Sequence, residues 1–281
     1  MVAASAMTIA VRQASLSLNP SFIVFLRFAL TLGLLVLVIV LFAKFRKSLQ
    51  FTRPGLHLLR GAFFVVSAQL GFYSIAHIEL VTVTVLFFTA PLFAAILSVV
   101  FQGEKIGPRR IAAMLVGFLG VIVVLRPDTG SLDWAMMAAL ASSLLFASAL
   151  VVSKSLVAAD GANSALVSST ALTAIASVPI IIPVADFAAV PASAIVIIVL
   201  ALAGGVRVFA DIKAYSLGEA SVLAPITYTR LVLIGVAAYV LFGEIPDATA
   251  LIGAAIIVGA ALYIAHRENQ ARKAKSARSP E

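Results

Sequence analysis

The chain has 281 residues, of which 62% are hydrophobic and 11% charged, and its mean hydropathy is +1.13. A soluble domain is roughly 45–50% apolar and about a quarter charged, so the apolar surface here exceeds what one soluble core could bury. Cysteine is absent, which excludes a disulfide framework and thiolate metal sites.

A helix needs roughly 20 apolar residues to cross a ~30 Å hydrocarbon core. Open sheets are excluded there by their unpaired backbone groups, and the segments are apolar all round, unlike barrel strands. An all-α integral membrane protein is predicted. Met1 to Val11 is apolar but reaches only about 16 Å as helix, and Arg12 follows it. It lacks the charged start and cleavage site of a signal peptide, and reads as the second half of a first membrane helix whose beginning is missing. Further spans are predicted at about 22–43, 58–78, 81–101, 109–126, 132–153, 163–185, 191–213, 220–242 and 247–265. With the partial first segment they make ten. Asn19-Pro20, Gly107-Pro108 and Pro246-Asp247 open three of them, with proline in the first turn, where its missing N–H costs nothing. Residues 268–281 form a polar, basic tail, expected to be disordered.

On this plan 16 of the 20 basic residues fall on one side, around the connections near Lys44, Lys105, Lys154 and Lys213 and in the tail. The positive-inside rule makes that side cytoplasmic and places both termini there. The net charge of +8 thus reads as a topology signal and lipid-headgroup contact, not as a nucleic-acid site.

One layout occurs twice. Glu79 to Val124 and Glu219 to Ala265 each run glutamate, an apolar segment, Gly-Glu (Gly103-Glu104, Gly243-Glu244) and a second apolar segment. The predicted halves are 1–127 and 128–267, five helices each. An odd number of helices puts the second half into the membrane upside down. Inverted repeats of this kind recur in secondary transporters, with the substrate site near midplane between the halves.

The order of short motifs then carries a resemblance. Leu59-Arg60-Gly61, Pro91, Gly103-Glu104-Lys105, Gly117-Phe118-Leu119-Gly120 and Arg126-Pro127 mark the first half. Ala214-Tyr215, Ala224-Pro225, Tyr228, Phe242-Gly243-Glu244-Ile245-Pro246, Gly253 and Arg267-Glu268 mark the second. Together they resemble the ten-helix EamA-type members of the drug/metabolite transporter superfamily, over all but the tail. The resemblance implies a secondary carrier of the cytoplasmic (inner) membrane, most often an exporter of amino acids or other small metabolites. Two features depart from the family pattern: the incomplete first helix and the charges Arg207, Asp211 and Lys213 on the eighth span.

Ionisable groups inside membrane spans cost from ~2.5 kcal/mol upward at the centre, so each is a candidate for function. Arg230 sits about ten residues into span 9, too deep for easy snorkelling, with Tyr228 and Pro225 just before it. It reads as a substrate or gate contact, against a structural hydrogen bond to a neighbouring helix. Pro91 and Pro225 are candidate helix breaks that expose carbonyls. Arg207 and Asp211, spaced i, i+4, face one side of span 8. They are either a neutralised pair or a pair opening on the cavity, with Asp211 coupling a proton. Gln69 and Tyr73 form a polar stripe on span 3. Arg27 is placed either in the cavity or snorkelling to the interface, and Arg60 reads first as a topology anchor. Glu104 and Glu244 lie on opposite faces, so they cannot act as an acid/base pair; their expected work is structural, tying turns to backbone donors at a helix start.

Enzyme readings find no support. No phosphate loop is present, His57, His77 and His266 lie far apart with no metal cluster, and no cofactor is expected. The reading is a secondary transporter of a small carboxylate-bearing metabolite working by alternating access, with a coupling proton and a homodimer left open. The rivals are an exporter of lipophilic cations and a non-transporting membrane scaffold.

Overall fold

The structure is a computed structural model that describes residues 1–102, 107–125, 133–217 and 220–276, without the side chains of 102, 110, 208–227, 268–269 and 271–276. Among the described residues every regular element is helical. In order these are α1 (Val2–Ala14), α2 (Pro20–Leu41), α3 (Ala43–Lys47), α4 (Pro54–His77), α5 (Leu80–Phe87) and α6 (Ala90–Gln102). Then follow α7 (Pro108–Leu125), α8 (Trp134–Ile181), α9 (Val190–Leu217), α10 (Ala220–Phe242) and α11 (Ala248–Ser276). The protein is a multi-pass membrane protein. Among the described residues six helical stretches are long and apolar enough to cross a bilayer: Pro20–Leu41, Pro54–His77, Leu80–Phe101, Trp134–Ile181, Val190–Arg207 and Ala248–Arg267. Ile111–Leu125 and Tyr228–Phe242 are shorter apolar helices among the described residues. Exposed apolar side chains such as Leu34, Leu37, Val40 and Leu41 on α2 belong against lipid.

Local chemistry sets the helix starts. Asn19 accepts a hydrogen bond from the Ser21 N–H at 3.0 Å, with Pro20 in the first turn of α2. Asp133 does the same for α8 through Ala135 N–H at 2.8 Å.

The expected spans 6 and 7 fall on two helical arms, together Trp134–Ile181 (α8), which meet in a turn at Gly161 (φ 81, ψ 160). A straight helix of that length would reach roughly 72 Å, more than twice the hydrocarbon core, and only glycine adopts that backbone readily. The contacts with α4 show the reversal. Ser74 meets Ala135 and Ser67 meets Ser142, so the first arm runs antiparallel to α4. His57 meets Ser168 and Gln69 meets Ser177, so the second arm runs parallel to it. Span 4 is broken into α5 and α6 at Phe88-Thr89, just ahead of Pro91. Proline frees the carbonyl four residues back, which is Phe87, and the Ser143 hydroxyl approaches that oxygen at 3.4 Å. Thr89 bridges to Ser143 at 2.8 Å.

Elsewhere helices approach through small residues, as membrane interfaces favour. α7 and α11 pair antiparallel. A Cβ on Gly253 would meet Val124 Cγ2 at 2.3 Å and the Gly120 carbonyl at 2.9 Å. α2 and α9 run parallel: the Ser17 and Ser193 hydroxyls are 2.8 Å apart near their starts, and further along both helices Arg27 lies against Gly204. α10 lies antiparallel to α5 and beside α1.

Candidate functional site

The deepest charged group is Arg230. At 1.5 Å per residue it lies about 15 Å from one end of α10 and about 18 Å from the other. It is 8% exposed, and its Nη2 donates to the Thr8 hydroxyl of α1 at 2.7 Å. Two residues earlier, Tyr228 packs edge-on against Phe88 at 5.0 Å, at the break between α5 and α6. The structure thus gathers Arg230, Tyr228, Thr8 and the broken span near Pro91 into one region. Pro225 and Asp211 fall among the residues whose side chains are not described. Two polar atoms of the interior, Ser5 Oγ and Gln69 Oε1, are buried with no hydrogen-bond partner among the described residues. Leaving such a group unpaired costs about 1–3 kcal/mol, so this interior is more polar than packing alone requires.

A second group surrounds Arg27. Its guanidinium carbon stands 4.7 Å from the Phe28 ring centre and 5.6 Å from that of Phe72. It also lies against Gly204 of α9, with Arg207 one turn further along. Gln69 turns to α8, where its Nε2 donates to Ser177 at 3.0 Å. Tyr73, expected on the same stripe, is 39% exposed and stacks on His77 at 4.1 Å, so it joins neither group. A separate small cavity of about 210 Å³ lies between α6 and α11, lined by Pro91, Ala94, Ala95, Ser98, Ala261 and Ile264 among others.

Each end of α4 carries a polar tie. At its C-terminal end, Arg12 donates to the last carbonyls of α4, Ile75 at 3.1 Å and Ala76 at 2.7 Å, and pairs with Glu244 at 2.9 Å. Glu244 also accepts from the Leu80 N–H, at the start of α5, at 2.7 Å. Cation on a helix C-terminus and anion on a helix N-terminus both follow the peptide dipoles. The preceding Gly243 (φ 66) ends α10 in a Schellman turn: its own N–H reaches the Tyr239 carbonyl, and that of Glu244 the Ala238 carbonyl. Glycine is needed there for the left-handed turn, and the glutamate that follows is thrown across to α5. Glu104 lies outside the described residues.

At the other end of α4 is a cluster that sequence reasoning missed. Asp160, buried at the bend of α8 between its two arms, accepts from the Thr52 hydroxyl, the Arg53 N–H at 3.2 Å and His57 Nε2 at 3.0 Å. His57 Nδ1 meets the Ser168 hydroxyl at 2.7 Å. The Thr52 hydroxyl foremost, then His57 and backbone N–H groups, hold the Asp160 carboxyl below its ordinary value, against burial that pushes it up. One turn further, Arg60 donates to Ser153 on the first arm of α8 at 2.5 Å. On the second arm it donates to the Ala165 carbonyl at 2.8 Å and to Ser169. Arg60, expected as a topology anchor, therefore clamps both arms. The sequence signal was the Asp160-Gly161 turn pair, which marks a sharp reversal.

Comparison with known proteins gives this arrangement a setting. The sequence profile of the EamA-like transporter family matches residues 1–126. An S-adenosylmethionine uptake transporter of Rickettsia bellii is 30% identical over 98% of this chain and 94% of its own. A riboflavin transporter of Vibrio cholerae is 29% identical over 80% and 76%, and a pseudopaline exporter of Pseudomonas aeruginosa 28% over 92% and 91%. One crystal structure superposes with a TM-score of 0.60 over 95% of this chain and 96% of its own at 18% identity, a likeness of fold. These relatives are named as transporters and not as enzymes. The chain is a membrane transporter belonging to the EamA-like family of the drug/metabolite transporter superfamily.

Proposed function

We propose that the protein is a secondary carrier of the cytoplasmic membrane that moves a small carboxylate-bearing metabolite by alternating access. Its crossings are α1, α2, α4, α5–α6, α7, the two arms of α8, α9, α10 and α11. These form two inverted five-helix repeats, 1–127 and 128–267, with both termini and the basic tail cytoplasmic. The relative directions of neighbouring helices support this plan. α4 is antiparallel to the first arm of α8 and parallel to the second, and α2 is parallel to α9. α7 is antiparallel to α11 and α5 antiparallel to α10. Ten alternating crossings give each of these relations.

The observation that carries the reading is Arg230, a guanidinium buried near the middle of a membrane helix. Such a group is retained at a cost in lipid, and here it lies where α1, α10 and the broken span meet. Arg230, with Tyr228, Gln69, Arg27, Arg207 and Asp211, is assigned to cargo contact, and Pro91 and Pro225 to the moving helices. Tyr73 is left at the rim. S-adenosylmethionine, for which the Rickettsia relatives are named, ends in an amino-acid carboxylate and is the first cargo to test. A carrier without its own energy source runs down the net gradient, so one site serves uptake in one relative and export in another. The amino-acid export expected from the sequence is the second cargo reading.

Proteoliposomes holding labelled S-adenosylmethionine are expected to exchange it with unlabelled substrate outside. An Arg230→Ala protein that folds is expected to lose at least about tenfold in rate, the weight of one charged hydrogen bond. Exchange by Arg230→Ala at the wild-type rate would remove Arg230 from the site; no exchange of this cargo or of any amino acid by the wild type would remove the cargo class.

A further inference from the structure

The geometry points to Arg27, seated over Gly204 between the rings of Phe28 and Phe72, as the subsite that receives the carboxylate of the cargo. The inference rests on the carrier reading above and sharpens it by giving the anionic end of the substrate an address.

Four observations carry it. First, depth: Arg27 is seven residues past Pro20, about 10 Å into α2, and its guanidinium packs on ring faces and a neighbouring helix, not at a helix end. Second, its N–H groups make no hydrogen bond to any described residue; its contacts are the two aromatic faces and Gly204. An arginine has five donors in a fixed fork, and a ring face takes the charge but leaves those in-plane donors open. A carboxylate fits that fork with two parallel bonds. Third, the charge of Arg207, one turn beyond Gly204, bears on Arg27. Two like charges in a medium of low dielectric repel strongly, and an anion between them removes that repulsion. Fourth, the seat is shaped by an absent side chain. A Cβ on Gly204 would stand 2.9 Å from Arg27 Nη2 and 3.1 Å from Nε, while nothing else is so close. The glycine lets the guanidinium lie close on the α9 backbone. Arg230, by contrast, already donates to Thr8 on the neighbouring helix.

The arrangement also sorts substrates. The fork binds the planar anion, and the flanking Phe28 and Phe72 rings exclude water from it. A cargo whose carboxylate is masked loses both bonds.

The test compares binding of S-adenosylmethionine with binding of the same molecule carrying a carboxamide in place of its carboxylate, using purified full-length protein in lipid nanodiscs. Wild type is expected to prefer the acid by roughly 10- to 100-fold, the weight of one charge-assisted pair. Arg27→Gln is expected to lose that preference, and Arg27→Lys to recover part of it. Gly204→Ala keeps the falsification open should Arg27→Gln fail to fold. Its added methyl meets only the far end of a flexible side chain, so the fold survives while the fork is displaced and the acid preference falls. An Arg27→Gln or Gly204→Ala protein with the wild-type acid preference would overturn the assignment. Equal binding of acid and carboxamide by wild type would overturn it while leaving the carrier reading intact. Binding of neither compound by wild type would overturn the S-adenosylmethionine cargo and the subsite with it.

Discussion

The two ends of α4 are tied to the rest of the molecule by different chemistry. At the Asp160 end a fully buried carboxylate is saturated by a hydroxyl, a backbone N–H and an imidazole, and Arg60 fills its donors on both arms of α8. At the Arg12 end a single ion pair spans α1 and the α10–α11 turn, with side chains 21% and 11% exposed. Water can replace the partners of the second tie as it opens. The first cannot be opened without leaving several polar groups buried and unpaired. α4 and α8 therefore behave as one block, with compliance at the Arg12–Glu244 end. On the carrier reading, the Arg12 end is the one expected to part during transport.

The largest effect expected from this contrast is on stability. Asp160→Ala removes the common acceptor of Thr52, Arg53 and His57 and leaves the buried His57 ring facing the space it vacates. It is expected to lower the thermal unfolding temperature more than any single change at the Arg12 end, with Asp160→Asn intermediate because one acceptor oxygen remains. Unfolding followed in detergent by intrinsic fluorescence checks the order. An Asp160→Ala protein that melts with the wild type would mean that α4 and α8 are not held as one block.

How much of this contrast the sequence could show depends on how far each contact reaches along the chain. Composition made the chain a helical membrane protein, because apolar runs of bilayer length have no other stable form in lipid. Asn19-Pro20 and Gly243-Glu244 were legible as helix boundaries because caps and left-handed turns act within a few residues. Arg230 was legible as unusual from its depth alone. Its partner Thr8 was not, lying 222 positions away on a segment too short to read as a full span. His57 and Asp160, 103 positions apart, each looked like an ordinary polar residue at a span edge. Hydropathy places polar residues at the ends of helices but does not say which ends meet. The turn in α8 was legible for the opposite reason: the polar stretch around Lys154 and Asp160-Gly161 separates two apolar runs, so hydropathy alone divides spans 132–153 and 163–185 there.

At the Arg12 end the expected effect is smaller on stability and larger on movement. Arg12→Gln and Glu244→Gln each remove the ion pair, while Glu244→Gln keeps an acceptor for the Leu80 N–H. A partly exposed pair contributes about 1 kcal/mol or less, and salt screens it. Both variants are expected to melt close to wild type yet change the exchange rate in proteoliposomes in the same direction, because they weaken the same closed state. The double variant is expected to match Arg12→Gln, which loses the ion pair together with the bonds to the Ile75 and Ala76 carbonyls. Opposite rate changes in the two single variants would show that Arg12 and Glu244 do not act as one latch.

The smallest effect lies in pH, and its sign is fixed by Asp160. A carboxyl whose folded value is depressed stabilises the protein above its unfolded value, about 3.9. That contribution is lost as pH falls through the depressed folded value. The stability gap between wild type and Asp160→Asn is therefore expected to be constant from neutral pH down to about 5, and to narrow only below about 4. Melting temperatures of the two proteins across that range decide the matter. A gap that instead closed well above about pH 5 would show that the Asp160 carboxylate is not what holds the buried end together.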